Sequence, residues 1–212
     1  MKLTKFVHAC VLVEDGKHVA LFDPGNFSWQ SGLIKVDSWP KLDYVIITHE
    51  HEDHFSEDFC KALIQKFPDV QWVATEPVVA KLRELGAQKT SSTSIENVEI
   101  APLAHASMSP LAPDPNVPNI AVHYKNKISH PGDSHALTQS KEILFAPLAG
   151  PWGATIEGIR MADRLEPKVI VPIHDAMWND GWRQWMYERG EAFFKQQNIR
   201  FVKPIDGEPF EI

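Results

Sequence analysis

The residues with the most evident chemical potential stand together in the stretch VIITHEHEDHF, from Val45 to Phe55. Three histidines and one aspartate follow an apolar run directly: His49, His51, Asp53 and His54. Neutral imidazoles and carboxylates are ligands of zinc, manganese and iron. Packing does not explain such a concentration of ligand types, so the stretch predicts a metal site. A helical zinc-protease site is excluded, because HEHEDH contains no H-E-x-x-H and follows a strand-like run.

Three further polar sites also follow apolar, strand-like runs. APLAH ends at His105, KISHPGD ends at Asp133, and VPIH ends at His174. Ligand sites in open α/β sheets form outside the carboxyl ends of the strands, so these side chains are expected to gather with the first cluster. At a strand end, His49 and His51 can face the same side, while Asp53 and His54 can reach a second ion. The sequence therefore predicts room for two ions.

The remaining histidines divide into two groups. His18 and His123 lie inside predicted strands and are interpreted as structural. His8, His130 and His135 lie nearer to the predicted site and are candidates for orienting ligands or contacting substrate.

Three loop features are candidates for lining a pocket. Trp152 and Trp178 lie in loops beside strand ends. The Pro-rich stretch from Ser109 to Pro118 is a candidate substrate-facing loop. The loops 106–118, 149–155 and 175–182 are expected to shape the pocket.

Strands and helices alternate along the chain, with hairpins and strand-helix-strand units mixed. Residues 5–14 and the run HVALFDPG predict an opening hairpin, and a second hairpin is predicted at residues 125–127. Helices are predicted in SEDFCKALIQKF, capped by Ser56, and in TEPVVAKLRELG, capped by Thr75. Two more are predicted in TIEGIRMADRLEP and WRQWMYERGEAFFKQQN. The pattern indicates a layered α/β fold with two mixed sheets, as a single domain over residues 1–212.

Composition narrows the class of protein. The chain has 212 residues, 43% of them hydrophobic, and a formal net charge of −7 without any block of Lys or Arg. A large nucleic-acid surface is therefore not expected. No secretory segment and no membrane span is predicted. Cys10 and Cys60 are too few for a disulfide scaffold, so a cytoplasmic location is expected. Oligomeric state is not predicted.

The motifs resemble those of the metallo-β-lactamase superfamily. THEHEDH is similar to its H-x-H-x-D-H signature, and LFDPG, APLAH, SHPGDS and VPIH follow in that family's order. The resemblance implies a four-layer αββα sandwich of two mixed β-sheets flanked by helices, with a dinuclear site. It assigns His49, His51 and His105 to the first ion, Asp53, His54 and His174 to the second, and Asp133 as the bridge.

Within the superfamily the chain most resembles the branch of L-ascorbate-6-phosphate lactonase and N-acylphosphatidylethanolamine phospholipase D. VHACVLVE is similar to that branch's Gly-His-Ala/Ser motif, with Val7 in place of Gly, and SHPGDS to its His-x-Gly-Asp-Thr, with Ser134 in place of Thr. The contexts of glyoxalase II and of the tRNA-maturation nucleases are missing.

The resemblance implies a metal-dependent hydrolase acting on a small-molecule lactone or ester. Two divalent ions, zinc first and manganese or iron as alternatives, would hold a bridging hydroxide that attacks the substrate. Asp53 would orient the hydroxide, and His130 or His135 would donate a proton to the leaving group. The alternatives are a phosphodiesterase and a non-hydrolytic metal-binding or redox protein. Oxygen-reducing relatives usually carry Glu where this chain has His51, which disfavours the redox alternative.

Overall fold

The computed structural model describes residues 1–110 and 117–212. It divides into two compact units. Unit 1 comprises residues 1–95 and 205–212, and unit 2 comprises residues 96–204. Each unit is built on its own mixed β-sheet. The single domain over 1–212 stays a prediction.

The sheet of unit 1 has seven strands in the order β13-β1-β2-β3-β4-β5-β6. Strands β13, β1, β2 and β3 pair antiparallel, whereas β3, β4, β5 and β6 pair parallel. The strands are β1 (Lys2–Lys5), β2 (Val11–Glu14), β3 (Val19–Phe22), β4 (Tyr44–Ile47), β5 (Gln71–Ala74), β6 (Lys89–Ser91) and β13 (Pro209–Glu211).

The helices of unit 1 are α1 (Asn26–Gln30), α2 (Glu57–Lys66) and α3 (Glu76–Glu84), with a 3-10 turn at Val36–Ser38. The Ser56 side chain accepts a hydrogen bond from the Phe59 amide, which confirms the predicted cap of α2. Thr75 stands at the N-cap position of α3, but its side chain makes no capping bond, so that detail of the prediction is wrong. The apolar faces of α2 and α3 join one buried core.

The opening strand predicted over residues 5–14 is wrong as a single element. It is interrupted between β1 and β2, where His8 adopts a left-handed backbone with φ 65°. The Phe6 amide donates to the Cys10 carbonyl at 2.9 Å and closes the turn. Apolar residues continue through this turn and remain buried, so hydrophobic patterning alone does not mark the break. The hairpin of β2 and β3 is confirmed.

The sheet of unit 2 has six strands in the order β12-β11-β10-β9-β8-β7. Strands β7, β8 and β9 pair antiparallel, and β9 to β12 pair parallel. The hairpin predicted at residues 125–127 is confirmed. The elements are β7 (Val98–Pro102), β8 (Ile120–Tyr124), β9 (Ile128–His130), β10 (Ile143–Pro147), α4 (Thr155–Leu165), β11 (Val169–Ile173), α5 (Asp180–Lys195) and β12 (Arg200–Phe201).

The two units share one order of elements. In each, a three-stranded antiparallel meander is followed by three parallel strands, and helices connect the last three strands. The parallel strands carry largely buried side chains, because helices cover this kind of sheet. Their carboxyl ends are therefore equivalent places for a ligand site in each unit.

Some predicted features lie in part outside the described residues. Residues 111–116 of the Pro-rich stretch from Ser109 to Pro118 belong to this undescribed part of the chain. Among the residues that are described, no helix is both long enough and apolar enough to cross a membrane.

Candidate metal centre

The histidine motif of unit 1 begins where β4 ends, and a buried carboxylate from the neighbouring strand holds it. Asp23 follows β3, which runs parallel to β4. Its Oδ1 accepts from the Thr48 amide at 2.8 Å, and its Oδ2 accepts from the Thr48 hydroxyl at 2.9 Å. Asp23 Oδ2 also lies 2.7 Å from His54 Nδ1. The carboxylate thus fixes the His54 ring with Nδ1 as donor, which leaves Nε2 in position to be a metal ligand.

The residues after Asp23 fasten the rest of the motif loop through the backbone. The Asn26 amide donates to the Glu52 carbonyl at 2.8 Å, and the Ser56 amide donates to the Pro24 carbonyl at 2.9 Å. Gly25 lies so close that a Cβ atom there would stand 1.7 Å from the Asp53 carbonyl oxygen. The DPG sequence is therefore a docking surface for the loop, and only glycine fits at its third position.

His8 reaches the same loop from the turn between β1 and β2. Its buried ring places Nε2 3.0 Å from Asp53 Oδ2, where the ring N–H donates to the carboxylate. His54 Nε2 is 3.8 Å from the same oxygen. The ligand atoms of His8, Asp53 and His54 lie within 4.8 Å of one another. His8, predicted as a ligand-orienting candidate, therefore contacts a predicted ligand directly.

His49 and His51 form a second pair within unit 1. His49 Nε2 is 3.1 Å from His51 Nδ1, and His49 Nδ1 is 3.1 Å from the Thr48 hydroxyl. Two nitrogens on a tetrahedral zinc ion are about 3.3 Å apart, given Zn–N bonds of 2.0–2.1 Å. The spacing of this pair therefore fits two ligands of one ion.

The two glutamates of the motif have structural contacts. Glu50 Oε2 is 2.8 Å from Lys81 Nζ of α3, and Lys81 also lies 5.8 Å from the centre of the Phe55 ring. Glu52 Oε2 accepts from Asn26 Nδ2 at 3.4 Å. These side chains hold the loop at its exposed side, and they explain why carboxylates alternate with the ligand residues.

In unit 2 the predicted ligands come from three different strand ends. His105 Nε2 is 3.6 Å from Asp133 Oδ2, and His174 Nε2 is 3.1 Å from the same oxygen. His105 Nδ1 donates to the Ala106 carbonyl at 2.6 Å, and His174 Nδ1 donates to the Ala149 carbonyl. Each ring is thus oriented by a backbone acceptor, with Nε2 turned towards the carboxylate.

Asn119 connects two of these strand ends, those that carry His105 and Asp133, and sequence reasoning missed it. Its Nδ2 donates to the carbonyls of Leu103 and Pro131, at 3.1 and 3.0 Å, and its Oδ1 accepts from the Asp133 amide at 3.2 Å. The side chain is buried, so these bonds are not exchanged with water. Asn119 stands one residue before β8, and the sequence around it does not indicate this role.

The two candidate proton donors differ in surroundings. His130 is fully buried, and its Nδ1 accepts from the Gly132 amide at 3.0 Å, which places its proton on Nε2. His135 is 16% exposed, and its Nε2 lies 3.2 Å from the Pro147 carbonyl. Burial lowers the pKa of His135, although the contact with Pro147 and the nearby Glu157 oppose this change. Both roles stay predictions.

Trp152 lies against the histidines of unit 2, and it was predicted as a pocket residue. Its ring centre is 5.1 Å from the rings of His135 and His174, and 6.3 Å from that of His105. The side chain is partly exposed. Trp178, the other candidate, packs partly buried against the core of unit 2.

Other buried polar residues support the strand ends without having been singled out from the sequence. Asp175, directly after His174, accepts from the Tyr187 hydroxyl of α5 and is buried. Thr48 was also missed. The only available signal was position, because both residues adjoin a predicted ligand. His123, interpreted as structural, has Nδ1 2.9 Å from the Ser129 hydroxyl.

The donor sets of both units fit a metal ion. Within each unit, histidine rings are fixed through one nitrogen and present the other beside a carboxylate or a second imidazole, as metal-binding histidines do. Unit 1 supplies His49, His51, Asp53 and His54, and unit 2 supplies the rest: His105, Asp133 and His174. Their assignment to two shared ions stays a prediction.

Comparison with known proteins shows which proteins this chain is similar to. A family model described as the β-lactamase superfamily domain matches residues 2–174. A protein of Mycobacterium tuberculosis strain H37Rv is 29% identical over 187 residues, which cover 84% of this chain and 85% of that protein. A UPF0173 metal-dependent hydrolase of Nanoarchaeum equitans is 22% identical over 194 residues, with the same two shares covered.

A solved structure gives the fold. Igni18, described as a metallo hydrolase from Ignicoccus hospitalis, matches with a TM-score of 0.70 at 18% identity, covering 100% of this chain and 98% of that chain. The two mixed sheets with their flanking helices are therefore those of the metallo-β-lactamase fold, and the predicted fold class is confirmed.

Proposed function

This chain belongs to the β-lactamase superfamily, and we propose that it is a dinuclear metal-dependent hydrolase. The observation that carries the proposal is the orientation of the histidines. His54, His105 and His174 each bind a carboxylate or carbonyl through Nδ1 and turn Nε2 towards an aspartate. Similar chains named metal-dependent hydrolases support the same reaction class.

We propose the ligand sets implied by the family resemblance. In this assignment His49, His51 and His105 would hold one ion, Asp53, His54 and His174 would hold the other, and Asp133 would be the bridging ligand. When bound, two divalent ions supply a nucleophile by lowering the pKa of a water, and they polarise the substrate. Zinc is the proposed metal, with manganese or iron as alternatives, since this ligand set suits all three.

The chain's own residues have defined tasks in this proposal. His8 donates to Asp53 Oδ2 and so fixes the carboxylate that orients the attacking group. Asp23 and Thr48 set the His54 and His49 rings. His130 and His135 are the proposed proton donors. The partial exposure of His135 allows direct contact with a leaving group, whereas His130 is buried.

The proposed substrate is a small-molecule lactone or carboxylic ester, in the cytoplasm and without nucleic-acid partners. Likeness to the ascorbate-phosphate lactonase branch stays part of this proposal. A phosphodiester is the alternative substrate, and an assay panel distinguishes the two.

The test combines metal content with turnover. Metal-free protein is loaded with zinc or manganese, and bound ions are counted by mass spectrometry before assays on a lactone, an ester, a phosphodiester, a thioester and a β-lactam. We expect about two ions per chain and turnover of one class. The variant Asp53→Ala should lose activity by at least about a hundredfold, whereas His18→Asn, a histidine outside the motif, should not. Fewer than one bound ion per chain would refute the proposal, and strong visible absorbance with bound iron would favour a redox protein.

A further inference from the structure

We infer that the substrate carries an uncharged, apolar group beside the bond that is cleaved, and that Trp152 is a specificity-determining residue that contacts this group. The inference deepens the proposed function and rests on it. It names the substrate class as an apolar ester or lactone and excludes a phosphorylated one.

Trp152 is a fixed aromatic wall beside the ligand histidines of unit 2. Its ring lies edge-on to those of His105 and His174, and it is partly exposed. Gly150 supports the ring from behind, because a Cβ atom there would stand 2.5 Å from the Trp152 Cε2 atom. A short bridge between Gly150 and Gly153 closes the loop. The ring therefore offers a preorganised apolar face next to two predicted metal ligands.

Four of the exposed apolar side chains of unit 2 follow Trp152 or His174 in the sequence. Ile156 follows Trp152 by four residues and is 51% exposed, and Met177 follows His174 by three and is 56% exposed. Trp182 and Trp185 come next on α5, with stacked rings 5.1 Å apart. Large exposed apolar side chains in contact with one another mark a binding surface more often than isolated ones do, and the stacked pair of Trp182 and Trp185 is such a contact.

Two of the loops that are expected to shape the pocket carry no positive charge. The loops 149–155 and 175–182 contain no Lys and no Arg, and their acidic residues are Asp175, which is buried, and Asp180. Phosphate groups are bound chiefly by Arg and Lys, by backbone amides and by helix N-termini. In unit 1, Lys81 lies beside the motif but pairs with Glu50 at 2.8 Å. These two loops therefore supply no cationic side chain for a phosphate, and Arg164 of α4 donates to the carbonyls of His135 and Leu137.

Unit 1 also has a partly exposed aromatic ring beside its histidines. Phe27 of α1 is 37% exposed, and its ring centre lies 5.0 Å from that of His8. His8 in turn contacts Asp53. In each unit, then, an aromatic ring with exposed surface lies beside the histidine cluster.

The first experiment measures binding without turnover. Calorimetry compares cyclopentanone with 2-heptylcyclopentanone, which lack the ester oxygen and are not hydrolysed, on zinc-loaded and metal-free protein. We expect the heptyl compound to bind at least tenfold tighter, since each buried methylene can contribute up to about fourfold. Trp152→Ala should reduce this preference to threefold or less, and Trp152→Phe should keep most of it. Phe193→Ala, an aromatic residue of α5 that is 42% exposed, is the matched control and should change nothing.

The second experiment measures turnover of three lactones: γ-butyrolactone, γ-undecalactone and a γ-lactone whose hydroxymethyl substituent is phosphorylated. We expect kcat/KM to be highest for γ-undecalactone because its KM is lowest. This difference in KM should disappear in Trp152→Ala. Faster turnover of the phosphorylated lactone, or a chain-length preference equal in the wild type and Trp152→Ala, would overturn the inference. If binding depends on Trp152 but no substrate of the wider panel is hydrolysed, the proposed function fails while the apolar site stands.

Discussion

Both units place their predicted ligands after the carboxyl ends of strands, but they fix them by different means. In unit 1, the ligands lie in one continuous motif and are fixed mainly by side chains: Asp23, Thr48 and His8. In unit 2, the ligands come from separate strand ends, and backbone carbonyls orient the rings of His105 and His174. The Asn119 side chain joins two of those ends, through Leu103, Pro131 and Asp133.

This difference determines how each cluster responds to mutation. A side-chain anchor can be removed by one substitution, so unit 1 should be sensitive at several positions outside its ligands. A backbone anchor survives substitution of the residue that carries it, because every residue has the carbonyl. Unit 2 should therefore be sensitive mainly at Asn119.

The largest expected effect is that of Asp23→Ala in unit 1. The change leaves His54 Nδ1 and the Thr48 amide and hydroxyl without their buried acceptor. We expect a loss of about 3 to 5 kcal/mol in unfolding free energy, as for other broken buried pairs. Urea unfolding of the metal-free protein measures it. Asp69→Ala, a change at an exposed aspartate paired with Lys89, should cost less than about 1 kcal/mol. Equal losses in the two variants would contradict the anchoring role.

The next effect is that of Asn119→Ala in unit 2. Three buried hydrogen bonds are lost, which should cost about 2 to 3 kcal/mol. Metal affinity should fall about 10- to 100-fold, because Asn119 positions the Asp133 backbone. Competition with a chelator measures this affinity. Gln184→Ala, at an exposed amide of α5, provides the control. Unchanged affinity together with lost stability would mean that Asn119 serves the fold alone.

The smallest expected effect concerns His123 of unit 2, which we interpret as a structural histidine and not as a metal ligand. Burial, followed by the charge of Lys141, lowers the pKa of His123, so the folded protein binds a proton there less readily than the unfolded chain. The associated stability is present above about pH 6.5, the ordinary value, and is lost as pH falls below it. In His123→Gln, unfolding free energy should therefore decrease less between pH 7.5 and 5.5 than in the wild type. An equal or steeper decrease would contradict this interpretation.

Local sequence signals were sufficient to predict much of the fold and the motif from His49 to His54. The Ser56 cap, the 125–127 hairpin and the two mixed sheets could be predicted because each depends on neighbouring residues or on repeated patterning. The motif from His49 to His54 was recognisable because its ligands are contiguous in the sequence.

Features set by distant partners could not be predicted. His8, at the break between β1 and β2, contacts Asp53, which is 45 residues away. Asn119 bonds to Leu103 and Pro131, which lie in other segments of unit 2. Short edge strands such as β6 and β13 were also missed, because their few residues carry too little pattern to be recognised.

The pairing of β13 with β1 has a consequence for the order of folding. During synthesis, β1 emerges before unit 2, and β13, its partner on one side, follows only after all of unit 2 has been made. Until then one side of β1 presents unpaired backbone groups to other nascent chains. The ion pair of the buried Lys5 with the partly exposed Asp206, at 2.7 Å, also forms only at that late stage. Ribosome-bound chains that do not yet contain residues 205–212 should therefore depend on chaperones more than released chains that contain them.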